Sequence, residues 1–440
     1  MKESIICKEI VPGYLVVYNK KTNETFLTKS LEVKNFSQKD WDIFFNKQPK
    51  KTAKKFDARS FFTTVVLNTT ESCNLRCRYC SRYKEQYKKE KTMPDVIMFL
   101  GVERAIEHAK LIKERVVVQF HGGEPLLFFT KIKSVLESFS KKDLKKIDLR
   151  IQTNGTLITD DILKFCLLYN IHLGISVDGP PEINGINRRF ADGTPISEVL
   201  DKKLKQVRKY LPNNHISCLA VLTQANVNNA KKVLDYIYKN KINDVSILPI
   251  YPDFTNCLNT SDHIIPRTEK MVEFSKLIFD LWLERLRKGQ FVSIPNFQIW
   301  FWNFLGINAN YITNNTSCGV GQSMIFINTD GEIYPCGPFS YENKMSFGNI
   351  RKINLIDIKK KKVFKMFNKR STKNVDDCRD CALQSICMGG CPANSYLKEK
   401  SIYKKDPFCE YWQGIIEYIV KNIIDDPDIC NLIPDFSIRL

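Results

Sequence analysis

The chain reads as an α/β protein built on a parallel sheet or barrel, followed by a Cys-rich region that metal clusters hold together. Three observations predict this. Short apolar runs alternate with helical stretches six times between residues 60 and 290, the pattern of repeated strand–helix units. Four polar motifs fall at the C-terminal ends of successive runs, where barrels of parallel strands place their active sites. From about residue 310 the apolar periodicity stops and cysteines cluster, so this segment needs another source of stability.

The elements follow in order. Residues 1–55 form a small N-terminal region. Its alternating run Tyr14–Tyr18, an Asn/Lys-rich turn and the run Thr25–Thr28 read as a β-hairpin. A short helix is expected at Gln38–Asn46, and basic, Pro-containing Lys47–Lys55 reads as a linker. Residues 60–290 carry the barrel. Strands are expected at Thr63–Asn68, Val116–Phe120, Asp148–Gln152, His172–Val177, Ile216–Leu222 and Val245–Ile250. Helices fit near 95–113, 129–139, 160–169, 196–210, 227–239 and 267–288. The Cys-rich domain spans 310–415, and 416–440 remains as a C-terminal tail.

Composition narrows the class. With 43% hydrophobic and 26% charged residues in 440, the balance is that of a globular protein. No window approaches the 18 apolar residues of a membrane span. The start, Met1-Lys2-Glu3-Ser4, has no apolar signal core, so secretion is not expected and the cytoplasm is. The net charge of +19 would suit an acidic or nucleic-acid partner. A solvated Lys- and Asn-rich surface accounts for it equally well, so nucleic acid is not expected. Lys359–Lys362 ahead of Val363, Phe364, Met366 and Phe367 fits a helix with a basic and an apolar face, the former a solvated surface or a dock for an acidic peptide leader.

Fifteen cysteines are the unusual feature. In a cytosolic chain, clustered Cys point to metal or redox chemistry rather than structural disulfides. Cys73-x3-Cys77-x2-Cys80 places three thiols in one loop just after the first barrel strand. Chance would produce such a triple in about 0.02 chains of this length and composition. Thiolates are soft ligands suited to zinc or iron–sulfur. Structural zinc wants four ligands, and a closed [4Fe–4S] cluster also takes four, so three leave one iron open. Isolated Cys7, Cys166, Cys218, Cys257 and Cys430 read as small hydrophobes.

The strand-end motifs are Gly122-Gly123-Glu124-Pro125, Thr153-Asn154-Gly155 and Ser176-Val177-Asp178-Gly179. The glycine pair allows close backbone approach to a small molecule, and Glu124 can take an ammonium group through charge-assisted hydrogen bonds.

Cys73-Asn-Leu-Arg-Cys77-Arg-Tyr79-Cys80 resembles the radical S-adenosylmethionine (SAM) motif, and His121–Pro125 resembles that superfamily's methionine-amino-group motif. The resemblance implies a partial (β/α)6 barrel in which SAM chelates the open iron and yields a 5′-deoxyadenosyl radical. It implies SAM contacts for Tyr79, Gly122, Gly123, Glu124 and Pro125. Ser176 and Asp178 would line the ribose or carboxylate region, with Asn154 and Arg188 or Arg189 nearby and Leu222 against adenine.

The second Cys set reads Cys318, Gly331, Cys336, Cys378-x2-Cys381-x5-Cys387-x3-Cys391 and Cys409. This resembles the seven-Cys SPASM domain of peptide-modifying radical SAM enzymes. The resemblance implies one auxiliary [4Fe–4S] cluster on Cys378, Cys381, Cys387 and Cys409. A second would rest on Cys318, Cys336 and Cys391, with Met324 where fully ligated relatives carry an eighth Cys. A substrate thiolate or Cys257 could complete it.

The leading expectation is therefore a radical SAM maturase that installs a thioether, a carbon–carbon crosslink or an oxidation in a ribosomally made peptide. It implies a peptide or protein substrate, an external electron donor such as flavodoxin or ferredoxin, and no membrane partner. The N-terminal hairpin is similar to precursor-recognition elements. The alternative is a sulfatase-maturating enzyme forming formylglycine. Such enzymes typically carry Asp directly after the Cys336 position, whereas this chain has Gly337. A zinc protein binding nucleic acid is the third reading, and it leaves the strand-end motifs without a role. No catalytic proton acceptor is named by the sequence.

Overall fold

The structure is a computed structural model that describes residues 5–22, 24–33, 35–47, 62–80, 91–251, 264–305, 313–314, 317–320 and 323–433. The expected linker lies almost wholly outside these residues, as does Cys257.

At the N-terminus the expected hairpin is the second half of a three-stranded antiparallel meander, β1 (Ile5–Val11), β2 (Tyr14–Asn19) and β3 (Glu24–Lys29). The sequence reading missed β1, whose apolar residues are interrupted by Lys8 and Glu9. Asn19 shapes the following turn by accepting the Lys21 amide on its side chain at 2.9 Å, the Asx geometry typical of such corners. Helix α1 (Gln38–Lys47) lands where the sequence puts it. It is held by an aromatic cluster of Phe26, Phe36, Trp41, Phe44 and Phe45.

All six expected barrel strands form: β4 (Thr64–Thr70), β5 (Val116–Gly122), β6 (Ile147–Thr153), β7 (His172–Ser176), β8 (Ile216–Leu222) and β9 (Asp244–Pro249). They are parallel and hydrogen-bonded in chain order. The crossovers are α2 (Asp95–Ile112), α3 (Phe129–Glu137), α4 (Asp160–Leu168), α5 (Pro181–Asn187), α6 (Ser197–Tyr210) and α7 (Ala230–Lys239). Their apolar stripes explain the packing: in α7, Ala230, Val233, Leu234 and Ile237 are buried, the i, i+3, i+4, i+7 face of a core helix. Thr159 starts α4 by accepting the Ile162 amide at 3.3 Å, a capping contribution of about 1 kcal/mol.

Beyond the barrel, α8 (Thr268–Arg287) matches its expected range, and α9 (Pro295–Phe304) follows. The Cys-rich region holds a two-residue pair, β10 (Thr313–Asn314) and β11 (Ser317–Cys318), then β12 (Met324–Ile327), β13 (Glu332–Tyr334) and β14 (Gly348–Asn349). It does not stand apart from the barrel. β12 pairs in parallel with β4, from Met324 opposite Thr64 to Ile327 opposite Leu67. The resulting nine-stranded sheet runs β14-β13-β12-β4-β5-β6-β7-β8-β9. The two Cys regions are thus built on one sheet.

The chain closes with α10 (Lys362–Lys369), α11 (Pro392–Glu399) and α12 (Cys409–Asp425). The basic run does form an amphipathic helix, with Phe364 and Phe367 buried. The expected tail at 416 is instead the second half of α12. Ile416, Ile419, Val420 and Ile423 are buried there, and the helix packs on α8 and α9. Its apolar spacing is helical, but the Cys pattern drew the boundary too early.

Candidate active site

The four motifs at the sheet's C-terminal edge meet around the Cys73–Cys80 loop. This loop lies beside the segment after α5: the Arg76 amide donates to Arg189 O at 2.7 Å and the Arg78 amide to Asn187 O at 2.9 Å. Asn74 donates to Thr156 Oγ1 at 2.9 Å. The Cys80 amide closes a turn on Cys77 O at 3.0 Å. Burial raises the Cys73 thiol to about 12 and raises Cys77 as well, and the charges of Cys73, Cys77 and Cys80 act on one another. Thiols so disfavoured as anions ionise readily only beside a compensating cation. Among the described residues no three His, Cys, Asp or Glu side chains are placed to hold a single metal ion. Grouped thiols are the donor set that an iron–sulfur cluster takes.

The glycine pair serves a different close approach from the one expected. A Cβ on Gly122 would strike Thr70 O, and one on Gly123 would strike Ser72 O. Gly123 N donates to Thr70 O at 2.7 Å and Glu124 N to Ser72 O at 2.9 Å. The pair thus lets the end of β5 lie against the chain entering the Cys loop. Gly122 also has φ +137°, which favours glycine.

Glu124 also joins neighbouring strand ends. Its carboxylate is 0% exposed. It accepts from Thr153 Oγ1 at 2.6 Å, Asn154 N at 2.7 Å and Leu126 N at 3.0 Å. Burial raises its pKa to about 7, against the lowering effect of those donors. Glu124 therefore ties the ends of β5 and β6 together. Pro125, buried beside it, starts the 3₁₀ turn that follows.

Asn154 is also a tie. It donates to Asn74 Oδ1 at 2.9 Å and contacts Cys73 Sγ at 3.8 Å, and its Oδ1 accepts from Thr156 N and Oγ1.

Asp178, expected along the ribose or carboxylate of SAM, has its carboxylate engaged within the protein. Oδ2 accepts from Tyr79 OH at 2.5 Å and Arg188 Nε at 2.9 Å. Oδ1 accepts from Arg188 Nη2 at 3.0 Å and Val221 N at 2.9 Å. All four acceptor directions of the carboxylate are filled by protein. The Arg188 guanidinium also lies 5.3 Å from the Tyr79 ring centroid, within cation–π range. Tyr79, Asp178 and Arg188 form one clamp on the Cys loop. Ser176 is partly exposed at the tip of β7, with Gln152 Nε2 3.4 Å from its hydroxyl. Leu222 is fully buried in the core, so its side chain faces neighbouring residues rather than open space.

The second Cys set separates into two places. Cys378, Cys381, Cys387 and Cys409 influence one another electrostatically, and Gln413 reaches Cys381 Sγ at 3.8 Å. Elsewhere Cys336 sits in a small apolar cluster against which Cys391 and Met324 pack. The side chain of Cys318 lies outside the described residues. The six described members thus fall in two neighbourhoods, Cys378, Cys381, Cys387 and Cys409 in one and Cys336 with Cys391 in the other. Cys166 and Cys218 are buried, as small hydrophobes should be. Sequence reading missed Asn184, whose Oδ1 accepts the Asp178 amide at 2.9 Å, and Asp406, which accepts the Cys391 amide at 2.7 Å. No spacing rule singles either out.

A fold of parallel strands with a three-thiol loop at their C-terminal edge, clamped as described, defines the radical SAM class. The sequence profile of the radical SAM superfamily matches residues 67–246, and that of an iron–sulfur cluster-binding domain, SPASM, matches 318–382. The chain is a radical SAM enzyme with a C-terminal SPASM domain. Its cofactors are [4Fe–4S] clusters and SAM. It is 27% identical over 378 residues to a cysteine-type anaerobic sulfatase-maturating enzyme of Clostridium perfringens, covering 82% of this chain and 97% of that one. It is 23% identical over 448 residues to the radical SAM cyclopropyl synthase TigE of Paramaledivibacter caminithermalis, covering 96% and 87%. A structure of anSMEcpe with bound AdoMet superposes with TM-score 0.72 at 25% identity, covering 86% and 97%. Among the described residues no helix is long and apolar enough to cross a membrane.

Proposed function

We propose that this enzyme modifies a residue within a peptide or protein substrate. The observation that carries it is the shared sheet: β12 of the SPASM region pairs directly with β4, whose end leads into the Cys73–Cys80 loop. A substrate held within the barrel would lie between the SAM-binding loop at the strand ends and the Cys336 side of the SPASM region at the strand starts. When bound, SAM and the reduced cluster supply the radical that removes a hydrogen atom from the substrate. The residues of the chain hold that chemistry in place. Tyr79, Asp178 and Arg188 fix the loop, Glu124 and Asn154 lock it to neighbouring strand ends, and the buried surroundings keep water from the reacting atoms.

Within this class, the sequence similarity supports the sulfatase-maturating reading more strongly, the reverse of the order the sequence alone favours. On that reading a Cys or Ser side chain is oxidised to the aldehyde of formylglycine. One feature favours maturation of a ribosomal precursor peptide instead. Gly337 opens the 3₁₀ turn after Cys336 with Pro338 beside it, so no carboxylate occupies the position of the expected proton acceptor. The TigE match also extends over more of this chain than the sulfatase-maturating matches do.

The test is product mass. Anaerobically reconstituted enzyme with SAM and reductant is offered a Cys-containing sulfatase peptide and, separately, any short peptide encoded beside its gene. Conversion of the first to an aldehyde that reacts with hydrazine supports formylglycine formation. Modification of the second alone supports precursor maturation. Modification of neither, with SAM cleavage intact, overturns both finer readings.

A further inference from the structure

The turn between Cys387 and Cys391 carries an unusual concentration of unmet polar groups. Ten buried side-chain polar atoms among the described residues have no hydrogen-bond partner, and four of them surround this turn: Asn303 Oδ1, Arg370 Nη1, Thr372 Oγ1 and Asn394 Oδ1. Asn303 donates to Ile386 O at 3.2 Å. Thr372 lies against Gly389, and Asn394 donates to Asp406 Oδ1 at 3.3 Å. Unpartnered buried polar atoms are costly enough that a cluster of them calls for an explanation.

Arg370 is the extreme case. It is 1% exposed and forms no ion pair with a carboxylate among the described residues. Two of its nitrogens are spent on backbone: Nε donates to Ile402 O at 2.6 Å and Nη2 to Gly389 O at 2.8 Å. Nη1 is left over, beside the position a Gly389 Cβ would take. A buried guanidinium cannot shed its proton, and an uncompensated buried charge is strongly unfavourable. The acceptor of Arg370 Nη2, Gly389, stands two residues after Cys387 in the turn that leads to Cys391. On the other side of the turn, a Cβ on Gly390 would strike Asp406, whose carboxylate is filled by Cys391 N, Phe408 N, Trp412 Nε1 and Asn394. Asp406 is thus committed to its own partners. The missing counter-charge for Arg370 is best supplied by the cysteines themselves. Four thiolates around a cluster carry a net negative charge that rises by one on reduction.

We propose that Arg370 is the buried counter-cation of the auxiliary cluster on Cys378, Cys381, Cys387 and Cys409, and that it raises that cluster's reduction potential. The positive charge stabilises the more negative, reduced state, and the fork to Gly389 O fixes it against the turn joining the two Cys groups. This rests on the four-Cys assignment and not on which peptide is modified.

The test is a potentiometric titration followed by electron paramagnetic resonance. It uses the full-length, anaerobically reconstituted protein carrying C73A, C77A and C80A, so that only auxiliary signals remain. R370M keeps the length and removes the charge, whereas R370K keeps the charge. R370M is expected to retain its iron and to shift one auxiliary couple to more negative potential. The expected shift is at least tenfold in the reduction equilibrium, or 59 mV for one electron. R370K is expected to recover most of that shift. An unchanged couple in iron-replete R370M overturns the proposal. Loss of iron in both R370M and R370K overturns it too, because Arg370 would then be only a structural tie. Failure of the four-Cys assignment is separately visible, because adding C378A to the same background would then leave the auxiliary signals unchanged.

Discussion

Arg188 closes on Asp178 through two parallel hydrogen bonds, Nε to Oδ2 at 2.9 Å and Nη2 to Oδ1 at 3.0 Å, with both side chains buried. The pair also holds Tyr79, so a single substitution should disturb both stability and the Cys loop. R188M leaves the Asp178 carboxylate buried and unpaired, a change that costs about 3–5 kcal/mol. Chemical denaturation of the apo-protein measures it. A loss below 1 kcal/mol would show that the pair is solvated in solution. SAM affinity should fall in R188M as well, because Tyr79 loses its fixed orientation.

Glu124 gives a pH signature. Burial raises its folded pKa to about 7 from an ordinary 4.5. Between those values the folded protein binds a proton that the unfolded chain has released, so stability falls as pH rises across that window. At about 1.4 kcal/mol per unit, the contribution to the slope amounts to about 3 kcal/mol in all. In apo E124Q this part of the pH dependence should vanish, as seen by comparing denaturation midpoints at pH 5 and 7.5. An identical slope in E124Q and the parent would place the charge elsewhere.

The sequence was informative wherever a residue's role is carried by local spacing. Strand–helix alternation placed all six barrel strands. What it could not show was long-range satisfaction of buried groups. The sequence singles out Glu124 and Asp178 as SAM contacts, Glu124 for its charge beside the glycine pair and Asp178 by resemblance, with no sign of what else they hold. Their partners, Thr153, Val221 and Arg188, come from other elements, and only the assembled sheet edge shows that the carboxylates are already engaged. Strand β12 escaped notice for a related reason. Four residues, Met324–Ile327, carry too little pattern to announce a pairing with β4 some 260 positions earlier. Arg370 was hidden at the end of a Lys-rich helix, where charge suggests solvent.

Gly123 tests how the Cys loop is positioned. A methyl group there meets the Ser72 carbonyl one residue before Cys73, and backbone cannot move aside as a flexible side chain can. G123A should destabilise the protein by about 1–3 kcal/mol through overpacking. It should also reduce iron bound by the first loop while sparing the auxiliary cysteines. Iron assay of G123A against the parent, each with and without the C73A, C77A and C80A changes, separates the two effects. Full iron loading in G123A would show that the loop tolerates displacement.

The three-thiol loop and the SPASM cysteines predict about twelve irons per chain if each of three sites holds a [4Fe–4S] cluster. Replacing Cys73, Cys77 and Cys80 with Ala should remove about four of them and abolish formation of 5′-deoxyadenosine. Cys378→Ala should instead leave some SAM cleavage while stopping substrate turnover. Undiminished 5′-deoxyadenosine release from the triple variant would exclude the first loop as the SAM-binding centre.

The N-terminal meander separates the two substrate readings. It rests on the SPASM region through Lys8 with Glu417, Lys20 with Asp380 and Thr25 with Ser385. Asp380 and Ser385 lie within the Cys378–Cys387 segment. The barrel strands and both Cys groups all lie beyond residue 60, so SAM cleavage does not require the meander. Deleting residues 1–47 also removes Val16 from the main core, with Ile6, Ile10 and Leu27 packed beside it, so stability should fall; with iron content maintained, substrate-independent 5′-deoxyadenosine release should stay within about twofold. If the meander captures a precursor leader, the truncated enzyme should lose affinity for the full precursor and keep its activity on a short core peptide. KM would then rise for the former while kcat stayed level, the signature of lost binding common to ground and transition states. Unchanged KM on every modified peptide would exclude the meander as a recognition element and leave it a structural cover for the auxiliary-cluster loop.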